Sequence, residues 1–214
     1  MACRPMKISL PQATPAIVRY SSPMILIIHA HPYPQHSRAG RALLEAVRDL
    51  PDLEVRSLYD LYPDFDIDVA AEQAALVRAD LVVWLHPIYW YSVPAMLKHW
   101  FDVVHLRDWA YGEGGDKLRG KHCLWVTTTG GEASSFSKTG VHQLPFAAFE
   151  APLRQTALFC GMVWEKPIVL HGAHVITEDE IRAAARAFRE RLATWRPNPP
   201  SQAAKPTRRP GDVD

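Results

Sequence analysis

From Met24 to Ala30 the chain reads MILIIHA, a near-continuous apolar run of the kind expected of a parallel strand buried on both faces. After a polar stretch, Ala39, Ala42, Leu43, Ala46, Val47 and Leu50 recur at helical spacing. Leu53–Leu58 is a second, weaker strand, suited to a sheet edge, and Asp68 can cap a helix running to about Ala79. Leu81–His86 (LVVWLH) is a third buried strand. Pro94 suits the first turn of the next helix, whose apolar stripe is Met96, Leu97, Trp100, Phe101 and Val104. Residues 107–120 hold four glycines and read as an excursion. Cys123–Thr129 (CLWVTTT) is the fourth strand, Leu153–Cys160 ends a helix, and Ile168–Leu170 belongs to a fifth strand. Thr177 and Glu180 make a capping box for a last helix that buries Ile181, Ala184, Ala185, Phe188, Leu192 and Trp195.

Five strands alternating with helices predict an α/β fold, a five-stranded parallel sheet with helices on both faces. In such sheets ligands bind beyond the carboxyl ends of the strands, near the switch in strand order. The chemistry is therefore expected just after strands one, three and four. The ends differ from this pattern. Residues 1–23 carry four prolines and no apolar segment, and prolines crowd 197–214, so both are expected to be disordered around a domain spanning 24–196.

Charge narrows the partners. The formal net charge is +1, but the two ends are both basic, which leaves 24–195 with 17 basic against 21 acidic residues. A slightly acidic body argues against nucleic acid. Three cysteines without a C-x-x-C pair fit a reducing cytoplasm. His29 and His31 would share a strand face, but the other histidines are scattered and no H-E-x-x-H occurs, so no metal site is expected. The absence of G-x-S-x-G weighs against a hydrolase.

Three loops carry the candidate chemistry. The first, His31-Pro-Tyr-Pro-Gln-His-Ser37, lacks a G-x-G-x-x-G or Walker pattern but leads into a helix whose free N–H groups and dipole suit a phosphate. Ser37 reads either as a plain N-cap or as a further donor, and His31 either as a structural ring or as a donor. The second, His86-Pro-Ile-Tyr-Trp-Tyr-Ser-Val-Pro94, is an aromatic corner of the core or a wall for a planar group such as a flavin. The third, Thr127-Thr-Thr-Gly-Gly131, is a simple turn or a place where backbone N–H groups approach a ligand. All three fall at one end of the sheet.

Together, the A-H-P…S, H-P-I-Y-W-Y-S-V-P and T-T-G-G loops resemble the flavodoxin-like NAD(P)H:quinone oxidoreductases. The resemblance runs from Met24 to Trp195 and includes Ser57–Tyr62, Pro63–Asp68, Ala70–Gln73 and Trp109–Gly112. It implies FMN, with FAD the second choice, and NAD(P)H as co-substrate. The implied cofactor contacts are His31, Ser37, Arg38, Ala39 and Gly40 in the first loop, Ile88, Tyr89, Trp90 and Tyr91 in the second, and Thr128, Thr129, Gly130 and Gly131 in the third. It also places His142 near the reduced flavin as the catalytic side chain. Three departures stand out. Gly40 replaces a frequent Asn, Glu132-Ala133 replaces small residues, and Phe136 stands where animal relatives carry a catalytic Tyr.

The resemblance further implies a homodimer with the site at the subunit interface, residues 107–120 covering the partner's flavin, and ping-pong transfer of hydride to a quinone or similar electrophile. Some members of the family serve as ancillary subunits of a glutathione-gated potassium/proton antiporter. Docking on the cytoplasmic face of such a membrane protein is therefore an alternative role. A pure electron carrier is the third reading, disfavoured by the aromatic loop and His142.

Overall fold

The computed structural model describes residues 23–197. The expected leader, apart from Pro23, and the tail beyond Pro197 lie outside the described residues. The described residues form six strands and six α-helices in the order β1 (Ile25–His29), α1 (Arg38–Val47), β2 (Leu53–Ser57), α2 (Leu58–Leu61), α3 (Val69–Arg78), β3 (Leu81–Pro87), α4 (Ala95–Val104), β4 (His122–Thr128), α5 (Ala147–Phe159), β5 (Val163–Trp164), β6 (Ile168–Leu170) and α6 (Glu178–Ala193). All pair in parallel in the order β2-β1-β3-β4-β5, and β6 also pairs with β4. β5 and β6 are thus two pieces of the expected fifth strand. Pro167, with no N–H to give to a ladder, lies in the gap.

The apolar runs behave as their pattern requires. Every residue of β1 and of β4 is buried, and so are the first six of β3. Leu26, Ile28, Val82, Trp84, Cys123 and Trp125 face α3, α4 and α5 in one core. Ile25, Ile27, Leu81, Val83, Leu124 and Val126 face α1 and α6 in the other. Asp68 caps α3 by accepting from Ala71 N at 3.0 Å, and the Thr177–Glu180 box caps α6. Two expectations shift. Leu58 begins α2 instead of ending β2, and Ala184 is only half-buried.

One polar knot sits inside the first core. Glu72 of α3 is wholly buried. Its Oε1 accepts from Arg56 Nε at 2.7 Å and from the Tyr62 hydroxyl at 2.6 Å, and its Oε2 accepts from Trp100 Nε1 at 2.8 Å. One carboxylate therefore ties β2, α3, α4 and the segment after α2 together. Burial, and then the carboxylate beside it, push the Tyr62 phenol up to about 12. Removing one partner of such a buried charge pair strands the other, which costs roughly 3–5 kcal/mol. Glu72→Ala is expected to lower the unfolding free energy by about that amount in urea titrations. A loss under about 1 kcal/mol would show that the neighbouring groups find other partners.

Candidate active site

Parallel pairing sets the ends of β1, β3, β4 and β6 side by side. His29 lies level with Leu85, Pro87 with Thr128, and Thr128 with Leu170. The three loops singled out by sequence therefore meet, and a fourth joins them, the β6–α6 connection at 171–177.

The first loop makes a short 3-10 turn at Pro34–His36 and delivers Ser37 to the N-cap of α1. Ser37 Oγ accepts from Gly40 N at 3.2 Å. A Cβ at position 40 would lie 2.4 Å from that oxygen, so glycine there lets the serine fold onto its cap. His31 Nδ1 accepts from Tyr33 N at 3.0 Å, which leaves Nε2 as the ring donor. Arg38 is held by Glu178 of α6 at 2.6 Å.

The second loop is a two-residue hairpin turn. Tyr89 N donates to Ser92 O at 3.0 Å, Ser92 N donates to Tyr89 O at 2.9 Å, and Trp90 and Tyr91 take φ of 47° and 62°. Two left-handed residues in succession match a type I′ turn, normally filled by Asn or Gly. Trp90 is 91% exposed, whereas Tyr91 stacks on Phe149 with ring centroids 5.5 Å apart.

The third loop is locked to the fourth. Thr129 N donates to Leu170 O at 3.0 Å, Ala173 N to Thr129 O at 2.8 Å and Gly172 N to Gly131 O at 2.9 Å. Thr129 Oγ1 meets both Gly131 O at 2.7 Å and His171 Nδ1 at 2.9 Å. Each glycine lies under an imidazole. A Cβ on Gly130 would be 3.0 Å from His174 Nε2, and one on Gly131 would be 3.0 Å from His142 Nε2. His142 also stacks on Phe136, with centroids 4.4 Å apart, and its Nδ1 is buried without a hydrogen-bond partner.

Two cavities result, and both are bordered by Ile88 and Gly130. The larger, about 510 Å³, opens at the N-terminus of α1 between His31, Ser37, Arg38, Ala39, Tyr89 and Thr128. The smaller, about 170 Å³, lies between Trp90, Tyr91, Thr129, Gly131, Phe136 and His142. Of the residues expected at the site, only Gly40 borders neither, since it stands behind Ser37 with its N–H taken. His36, Ala173 and His174 line the larger cavity without having been singled out by sequence. The only cue for the last two was their position after the fifth strand.

The residues fit a flavin mononucleotide. A helix N-terminus with a serine suits a phosphate, a side-chain-free glycine pair suits close approach of a ring edge, and the orphaned His142 Nδ1 has polar capacity to spare. Beneath the cavities lie two buried imidazoles. His86 Nδ1 donates to Pro87 O at 2.9 Å, and its Nε2 accepts from Trp125 Nε1 at 2.8 Å, a pattern only the neutral ring satisfies. Burial holds His86 at about 4. Burial, with His31 nearby, holds His29 at about 4 as well.

The chain belongs to the flavodoxin-like fold family, whose profile matches residues 23–192. It is similar to the glutathione-regulated potassium-efflux system ancillary protein KefF of Salmonella typhi. The two are 52% identical over 172 residues, which cover 80% of this chain and 97% of that protein. Among solved structures it is similar to the general stress protein 14 of Treponema denticola in complex with FMN. That match has a TM-score of 0.75 and 34% identity, over 79% of this chain and 98% of the other. An NADPH-quinone reductase from P. pentosaceus shares the fold, with a TM-score of 0.73 at 24% identity over 80% and 99% of the two chains.

The neutral imidazoles make stability depend on pH. His29 and His86 stay unprotonated when folded, while an unfolded histidine protonates near 6.5. Their contribution is therefore intact above about 6.5 and is lost as pH falls from there to about 4, by roughly 1–3 kcal/mol per ring. The urea midpoint should drop between pH 7 and pH 4.5. A flat midpoint over that range would show that the rings protonate in place.

Proposed function

We propose that the protein is an FMN-dependent NAD(P)H:quinone oxidoreductase. The observation that carries this reading is the pair of neighbouring cavities at the strand ends, bordered by Gly130 and Gly131 with His174 over the first glycine and His142 over the second. The FMN named in the solved relative and the quinone reductases among the fold neighbours point the same way.

In this reading Ser37 and the first N–H groups of α1 hold the phosphate, with His31 and Arg38 beside them. Ile88, Tyr91 and the Gly130-Gly131 backbone bound the ring. The bound cofactor supplies the two-electron hydride chemistry. The chain supplies position and field. Backbone N–H groups of Gly130 and Gly131 are fixed donors toward the edge where negative charge develops on reduction. His142 is the one titratable side chain on the smaller cavity besides Tyr91, and it serves as cationic stabiliser or proton donor. Phe136 holds the His142 ring in place by stacking but has no hydroxyl to share its role. Nicotinamide and quinone would use the same open face in turn, and ping-pong kinetics would follow.

The reading includes a homodimer. Ile88 and Tyr91 also border a third cavity of about 450 Å³, opening between α4 and α5 and largely walled by apolar side chains such as Val93, Phe101 and Phe149. A second copy seated there would cover the open side of the ring site. The KefF likeness supports a second role, as an ancillary subunit on the inner face of a membrane potassium/proton antiporter. No helix among the described residues is long and apolar enough to cross a membrane.

The purified protein should be yellow, and acid should release FMN. Release of FAD, or failure of the protein to take up FMN, would overturn the cofactor assignment. His142→Ala should keep FMN yet lose on the order of 10–1000-fold in the rate of flavin reduction by NAD(P)H, the range of single-donor and acid–base effects. Stopped-flow bleaching measures it, and a wild-type rate in the loaded variant would leave the backbone amides as the only stabilisers.

A further inference from the structure

His174 belongs to a wall of the cavity that none of the three sequence motifs supplies. Its loop is fixed to the floor of the site by the hydrogen bonds of Ala173 N to Thr129 O at 2.8 Å and Gly172 N to Gly131 O at 2.9 Å. The imidazole then reaches over Gly130, where Nε2 would stand 3.0 Å from any added Cβ, and lines the larger cavity together with Ser37 and Arg38 of the α1 end. Its ring makes no hydrogen bond to the protein among the described residues, so its donor capacity is free for a ligand.

Charge at that end of the cavity favours the same residue. Arg38 is the nearest permanent cation, but Glu178 accepts from it at 3.1 Å and 2.6 Å, and its charge is already compensated. His31 Nδ1 accepts from Tyr33 N, and burial, with His36 nearby, lowers its affinity for a proton. His36 and His174 are the other two imidazoles lining the cavity. His36 lies on the same loop as Ser37, while His174 comes from a different wall, the β6–α6 connection. A phosphate gripped from one wall keeps an open side. A donor from the second wall closes it, and hydrogen bonds to a charged group are among the strong ones.

We propose that His174 is a cofactor-binding residue that selects the phosphorylated flavin, FMN, over the same ring system without its phosphate. The proposal rests on the flavin reading above. The test titrates full-length protein, freed of flavin, with FMN and separately with riboflavin, following flavin fluorescence. His174→Ala is expected to weaken FMN by roughly tenfold or more and to leave riboflavin affinity unchanged. His174→Gln, which keeps a side-chain donor, should recover part of the loss. Equal affinities for FMN in wild type and His174→Ala would overturn the proposal. So would loss of both ligands by the same factor, which would mark a general effect of the loop. Wild-type protein that binds neither ligand would overturn the flavin reading itself, and with it the role of His174, before any variant is compared. Thermal unfolding of the flavin-free variant should match wild type, because the ring supports no other group.

Discussion

A parallel strand with every side chain buried must be covered on both faces, and adjacent β1, β3 and β4 impose that demand together. The requirement sends α1 and α6 to one face and α3, α4 and α5 to the other. It also leaves every strand pointing the same way, so that each carboxyl end opens at one edge. The site is a by-product of this packing. Loops far apart in sequence converge because the strands feeding them are in register. Glu72 reinforces the arrangement from within, since its carboxylate holds α3 and α4 to each other through Trp100.

The glycine pair is where the loops of this scaffold meet most closely. Gly130 and Gly131 have no side chains to keep neighbouring loops away, and an imidazole from each side occupies the space. One comes from the stretch after β4 and the other from the stretch after β6. Phe136, Tyr91 and the ladder to Gly172 and Ala173 fix these imidazoles from outside. Two contacts are thus made by absence, and one of them, at Gly130, lies where both cavities have a border.

Sequence reading reached the elements with strong local signals. β1, β3 and β4 are legible as apolar runs, Asp68 as a cap and Thr177–Glu180 as a box, because each rests on neighbours in the chain. α5 was read only from its second half. Phe146 offers no capping side chain, and Pro152 sits inside the helix, so its start carries no local mark. The split of β5 from β6 and the turn from β2 into α2 depend on which groups find ladder partners. The cavity lining was legible where a motif follows a strand. His142 entered only through the family likeness, and His174 not at all, because its place over Gly130 is fixed by long-range pairing with β4.

The turn at Trp90 and Tyr91 sets stability against use. Both residues hold a left-handed backbone that costs an ordinary side chain about 1–2 kcal/mol apiece and costs glycine almost nothing. An Asn-Gly pair would relax the hairpin, and any search for hardier variants would be drawn to these two positions early. It would also strip the aromatic wall from one side of the smaller cavity and the stacking surface from Phe149. The chain keeps two left-handed aromatic residues beside its candidate site, so selection for heat resistance alone would erode that cavity before it touched the core.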